Sequence, residues 1–191
     1  AVKWGGIGCK GYIEVDFGSY SEEEISRAWE VLVDRHEMLR AKVTETGFEI
    51  LERDEIDYEI EIINLQKMEE KEKTVTLSRI REDFSKYVFH TENPPLFKVV
   101  ITKRMEGNFF HLLVDLIVSD FASVQILISE MGELLKGISL EKLRYRFSDY
   151  AMFNQQRKGS LKWHQDRMYW IERLKKLPKA PILPQDGRAA D

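Results

Sequence analysis

The residues of clearest chemical potential stand between 111 and 123, in the run His111-Leu112-Leu113-Val114-Asp115-Leu116-Ile117-Val118-Ser119-Asp120-Phe121-Ala122-Ser123. Two carboxylates and a hydroxyl are concentrated where an apolar run ends. Asp115, behind Leu112-Leu113-Val114, is expected to be partly desolvated. A carboxylate in that setting needs a cation or several donors, or else holds its proton, so its placement must be explained elsewhere in the fold. A simpler reading is also open: Asp120 or Ser119 N-caps the helix that follows, and Ser123 satisfies a backbone group in its first turn. Spacing alone favours the simpler reading.

Other candidates are sparse. His36 falls on a buried helix face, which predicts a packed, hydrogen-bonded imidazole rather than a catalyst. His111 shares a strand face with Asp115 and could reach the same site. His90 and His164 read as surface or helix-packing residues. Four histidines and a single cysteine, Cys9, offer neither a disulfide framework nor a metal site. Cys9 reads as packing in a glycine-rich turn.

The elements that must position these residues follow from periodicity. Ile13, Val15 and Phe17 alternate with Tyr12, Glu14 and Asp16, the period of a half-buried strand. Ser21 and Glu24 form a capping box ahead of a helix whose face carries Ile25, Ala28, Trp29, Leu32 and His36. Strands are expected at 39–44 and 47–52 around Thr46-Gly47, and at 58–63. The charged stretch Lys67–Lys73 reads as a solvated helix face leading to Leu77, Ile80, Phe84 and Tyr87. Strands at 96–103 and 108–115 are nearly continuous in apolar residues, which predicts the middle of a sheet covered on both faces. A helix of about 15 residues follows, striped by Val124, Leu127, Ile128, Met131, Leu134 and Leu135. Ser148 and Ser160 are candidate caps for two further helices. Trp163, Tyr169 and Trp170 then read as core or interface residues, and Pro178, Pro181 and Pro184 forbid more helix. In open α/β sheets the junction of a central strand with a helix start is where ligands usually sit, and 111–123 occupies that junction.

Composition bounds the class. The chain has 191 residues, 43% hydrophobic and 32% charged, with 29 Lys+Arg against 33 Asp+Glu for a formal net charge of −4. This excludes intrinsic disorder and argues against a nucleic-acid partner. No apolar run is long enough to span a membrane, and no secretory signal pattern opens the sequence. The lone cysteine suits a reducing, cytoplasmic setting. The expected class is α/β (α+β), a mixed central sheet flanked by helices.

Several segments together resemble the heterocyclization (Cy) domains of nonribosomal peptide synthetases, a branch of the condensation-domain superfamily. Asp115, Asp120 and Ser123 match the signature D-x-x-x-x-D-x-x-S. Gly5-Gly6-Ile7-Gly8-Cys9-Lys10-Gly11-Tyr12-Ile13-Glu14-Val15-Asp16 resembles the opening glycine-rich block that runs into the first strand, and Arg35-His36-Glu37-Met38-Leu39-Arg40-Ala41 resembles R-H-x-M-L-R-A. Pro95-Leu96-Phe97 matches a P-L-F strand start. Tyr169-Trp170-Ile171-Glu172-Arg173-Leu174, with Leu177-Pro178 and Ala180-Pro181-Ile182-Leu183-Pro184, matches the ending Y-W-x-x-R-L…L-P…A-P-x-L-P.

The resemblance implies a chloramphenicol acetyltransferase-like lobe, with two such lobes framing a tunnel that receives phosphopantetheine arms from both sides. It implies residues 1–184 as the N-terminal lobe only, and 185–191 as the start of an inter-lobe linker or an added tail. Ordinary condensation domains carry H-H-x-x-x-D-G at the signature; the two histidine positions here are Asp115 and Leu116. The implied reaction is amide formation between a carrier-bound acyl group and Cys, Ser or Thr, then cyclodehydration to thiazoline or oxazoline. Asp115 and Ser123 are candidates for the tunnel floor, with His111 on the tunnel side. Asp120 is expected to be structural, paired with Arg40, so that its loss would unfold the loop. No directly bound cofactor is implied. The implied partners are upstream and downstream carrier domains, an adjacent adenylation domain and the missing second lobe, with self-association through the exposed face that lobe would cover. The lobe alone is expected to be inactive. A catalytically silent docking module for carrier proteins is the alternative.

Overall fold

The structure is a computed structural model and describes residues 8–179. Two compact units are distinguished, with the boundary at Phe147/Ser148. Residues Gly5–Ile7 of the opening block, the 180–184 ending and the 185–191 segment lie outside the described residues.

The first unit is built on a four-stranded mixed sheet. Its strands are β1 (Lys10–Asp16), β4 (Ile60–Asn64), β5 (Phe97–Lys103) and β6 (Asn108–Asp115) in the order β1-β6-β5-β4. The β1–β6 and β6–β5 pairs are antiparallel, and β4–β5 is parallel. Helix α2 (Glu70–Lys86) makes the crossover that a parallel pair requires. A separate hairpin joins β2 (Ala41–Thr44) to β3 (Gly47–Ile50). Leu39 and Arg40, expected in strand, instead lie in a 3₁₀ turn, Glu37–Arg40.

β5 and β6 occupy the middle of the sheet, which explains their unbroken apolar runs. Phe97, Val99, Ile101, Phe110, Leu112 and Val114 face a core shared with α1 (Glu22–Arg35) and α3 (Phe121–Leu135). Val100 and Leu113 point the other way and pack with Ile80 and Phe84 of α2. Both faces are therefore dry, and alternation is lost. Trp29 anchors the larger core, edge-on to Phe97 at 5.1 Å and tilted against Phe110 at 5.4 Å.

The chain ends of α1 and α3 are set by local chemistry. Ser21 accepts from the backbone of Glu24, and the Glu24 carboxylate returns to the Ser21 N–H at 2.8 Å, the expected capping box. The β5–β6 turn needs glycine at 107: φ is +158°, and a Cβ would stand 2.9 Å from the backbone of Gly18.

The second unit contains α4 (Phe147–Arg157), apart from its first residue, and α5 (Leu161–Leu174). α4 begins at Phe147, so Ser148 lies inside its first turn instead of capping it. Ser160 does cap α5, accepting from the Trp163 N–H at 3.2 Å. Trp163, Tyr169 and Trp170, expected as core or interface residues, are exposed. Among the described residues no helix is long and apolar enough to cross a membrane.

Candidate functional site

The signature segment lies where β6 ends and α3 begins, and its shape is fixed by its own carboxylates. Asp115 is buried, and its Oδ1 accepts from the Ile117 N–H at 2.9 Å, while its carbonyl accepts from the Val118 N–H at 3.2 Å. The Leu116 N–H donates to the Cys9 carbonyl at 2.8 Å, tying the turn to the residue before β1. Cys9 itself is exposed, not packed as expected. These bonds force Leu116 and Ile117 outward, and each is more than a third exposed.

Asp120 is the N-cap of α3. Its Oδ1 accepts from the Ser123 N–H at 2.8 Å and from the Ser123 hydroxyl at 2.7 Å. These donors hold the Asp120 carboxyl below the ordinary aspartate range. The spacing D-x-x-S is thus a helix cap, the simpler of the two readings open from sequence.

The expected Asp120–Arg40 pair is not formed. Arg40 is buried and turns its guanidinium onto backbone carbonyls: Nε to Val33 at 3.0 Å, Nη2 to Asp34 at 3.3 Å and Nη1 to Leu51. It therefore satisfies carbonyls orphaned at the end of α1 and ties them to the chain just after β3. Three of its five N–H groups are committed to these carbonyls.

His111, the tunnel-side candidate, lies inside the fold of this chain. It is fully buried, and both ring nitrogens are bonded, Nε2 with Thr102 Oγ1 at 3.0 Å and Nδ1 with the Tyr12 hydroxyl at 2.9 Å. Tyr12 donates to Glu14 at 2.7 Å, and Arg81 of α2 grips both Glu14 oxygens at 2.5 and 2.9 Å. Because Glu14 can only accept, the chain has one direction: Thr102 donates to Nε2, Nδ1 donates to Tyr12, and Tyr12 donates to Glu14. Desolvation lowers the His111 pKa to about 4, and the Arg81 bonds lower Glu14 to about 2. Desolvation, with the Glu14 bond, raises Tyr12. This network braces the sheet against α2.

Asp115 and Ser123 border different cavities of this chain. Asp115 borders a cavity of about 240 Å³ with Gly8, Lys10 and the end of α2, where Lys10 Nζ donates to the Ser85 carbonyl at 2.6 Å and to that of Tyr87. Ser123 and Asp120 border a different cavity of about 410 Å³. Leu116, Ile117, Ser119 and the 3₁₀ turn after α1 complete that second wall, with Tyr145, Arg146 and Phe147 opposite. Its apolar lining with a few polar groups suits an organic ligand.

His36 on this wall is hydrogen-bonded as expected, and its partner, Glu130, is a residue that the sequence reading missed. His36 Nε2 lies 2.6 Å from Glu130 Oε2, and Arg35 Nε reaches both Glu130 oxygens at 3.2 Å. The available signal was Glu130 itself, an acid set beside the apolar stripe of α3 directly before the buried Met131.

Comparison with known proteins agrees with the early resemblance. Residues 16–191 match the family described as Condensation domain. The chain is 27% identical over 187 residues to pyochelin synthetase PchF of Pseudomonas aeruginosa, covering 96% of the chain and 10% of that protein. It is 31% identical over 156 residues to bacitracin synthase 1 of Bacillus licheniformis, covering 80% of the chain and 3% of that protein. The cyclization-docking bidomain of the nonribosomal peptide synthetase EpoB from Sorangium cellulosum superposes with a TM-score of 0.81 at 29% identity, over 95% of this chain and 37% of that one. The chain therefore spans a tenth or less of these two curated relatives. Its mixed-sheet α+β fold is the one the resemblance implied, shared with solved condensation-type domains.

Proposed function

Because this chain belongs to the condensation-domain family, we propose that it is the N-terminal lobe of a heterocyclization domain in a nonribosomal peptide synthetase. The parent domain joins a carrier-bound acyl group to carrier-bound Cys, Ser or Thr and then closes the side chain onto the new amide, with loss of water. One observation carries this reading. The loop after β6 has the D-x-x-x-x-D-x-x-S pattern, with Asp115 and Leu116 in place of the histidine pair of amide-forming relatives. The likeness to PchF and to the EpoB cyclization bidomain points the same way.

In this reading the motif acts as a frame. Asp115 closes the turn, Asp120 and Ser123 start α3, and Leu116 with Ile117 forms an apolar rim beside the larger cavity. Oxyanions and protons of the tetrahedral centres then meet polar groups held on rigid element ends. The phosphopantetheine arms of carrier domains deliver both reactants, the second lobe completes the tunnel, and an adenylation domain loads the acceptor. The setting is the cytoplasm, and the lobe alone is inactive.

The test replaces the corresponding lobe of the EpoB cyclization domain with this chain and supplies loaded carriers. Ring product supports the reading. A second reading, a silent docking lobe, draws support from the commitment of Asp115 Oδ1, Asp120 Oδ1 and Ser123 Oγ to the loop itself. Carrier binding without amide or ring would favour it.

A further inference from the structure

We propose that His36 is a proton acceptor in the larger cavity, aimed by Glu130; this rests on the function proposed above and deepens its first step. The Glu130 carboxylate only accepts, so the Nε2 that lies 2.6 Å from it carries the hydrogen. Arg35 fixes Glu130 in turn through both carboxylate oxygens. Nδ1 has no hydrogen-bond partner among the described residues and is not sealed from solvent. In the neutral ring its lone pair is therefore available. The side chain is 22% exposed, enough to be touched and too little to swing freely. Its backbone is equally firm: the His36 N–H closes the last turn of α1 onto the Leu32 carbonyl at 2.9 Å.

The ring borders the same cavity as Leu116, Ser119, Asp120 and Ser123. An imidazole whose far nitrogen is held by a half-buried, ion-paired carboxylate has its tautomer and direction set, which is the arrangement of a general base. The step balances without an outside reagent. The acceptor's free amine forms the N–C bond to the donor thioester carbon, and Nδ1 takes the proton released as nitrogen becomes bonded to carbon. The tetrahedral oxyanion collapses, the C–S bond breaks, and the departing thiolate of the donor arm receives that proton from the imidazolium. Amide and thiol are the products, and the ring returns to its neutral form. Glu130 acts through His36 and is a positioning residue.

Two measurements decide the assignment. Nitrogen-15 NMR of the 191-residue chain at neutral pH should find the His36 ring in its Nε2–H form; an Nδ1–H ring overturns the proposal. In the EpoB chimera, His36→Gln keeps an amide donor for Glu130 but has no basic lone pair. It should lower kcat for amide formation by about 10²-fold with KM unchanged, and added imidazole should partly restore His36→Ala. Glu130→Gln, which takes the carboxylate from Nε2, should lower kcat less than His36→Gln does, again with KM unchanged. A His36→Gln chimera with wild-type kcat overturns the proposal. A wild-type chimera that forms no amide sinks the functional reading instead, and the tautomer then decides the place of His36 alone.

Discussion

Asp120 and Ser123 are joined twice through one oxygen: Asp120 Oδ1 accepts from the Ser123 backbone at 2.8 Å and from its hydroxyl at 2.7 Å. Two of the three fixed positions of the signature are thereby spent on starting α3. The consequence is a rigid loop whose outward residues are apolar.

Asp120→Ala should fray the first turn of α3 without unfolding the loop, because Asp115 ties the turn independently. Faster amide exchange at Ser123 and Val124, with β6 exchange unchanged, is the expected result. Asp120→Asn should restore most protection, since an amide oxygen can still accept. As pH falls through the lowered Asp120 pKa, the wild-type cap should be lost in the same places.

Arg40 should matter far more to stability than Asp120. Arg40→Ala strips donors from three backbone carbonyls in a buried setting and should cost about 3 kcal/mol in urea unfolding. Arg40→Lys should recover only part of it, as an ammonium cannot reproduce the fork.

His111 makes stability depend on pH with a defined sign. Its folded pKa, about 4, lies below the unfolded value near 6.5, so the unfolded chain binds the extra proton between those limits. Stability should therefore fall as pH drops from 6.5 to 4, by something on the order of 3 kcal/mol, and level off below. His111→Gln should be less stable at neutral pH and should lack this slope in a comparison of denaturation midpoints.

Glu14 works in the opposite window. Its pKa is depressed to about 2, so the stability it contributes is present above the ordinary glutamate range and is lost as pH falls toward 2. Arg81→Met should return the Glu14 carboxyl toward its ordinary range in a carbon-detected NMR titration. An unchanged Glu14 titration would show that Arg81 is not its main partner.

Much of this architecture is legible in the sequence because its causes are local. Ser21 and Glu24 announce a helix start, and Ser160 another. The unbroken apolar runs of β5 and β6 already imply a doubly covered pair of central strands. The site is less legible, because its bonds join positions far apart in the chain. Nothing near Arg40 tells whether its fork meets Asp120 or the carbonyls of Val33, Asp34 and Leu51. His111 is separated by 99 positions from Tyr12, and His36 by 94 from Glu130. Burial of His111 and exposure of Cys9 likewise follow from packing that no spacing rule encodes.

The most direct test of the heterocyclization reading is the intact mass of a Cys-loaded acceptor carrier after reaction with the chimera of this chain and the remainder of the EpoB cyclization domain. The expected product is an acceptor arm one water lighter than the linear acyl-cysteinyl amide, with the linear amide as a transient precursor. A linear amide that accumulates and never loses water, or an acceptor that stays unacylated beside a loaded donor, would contradict it.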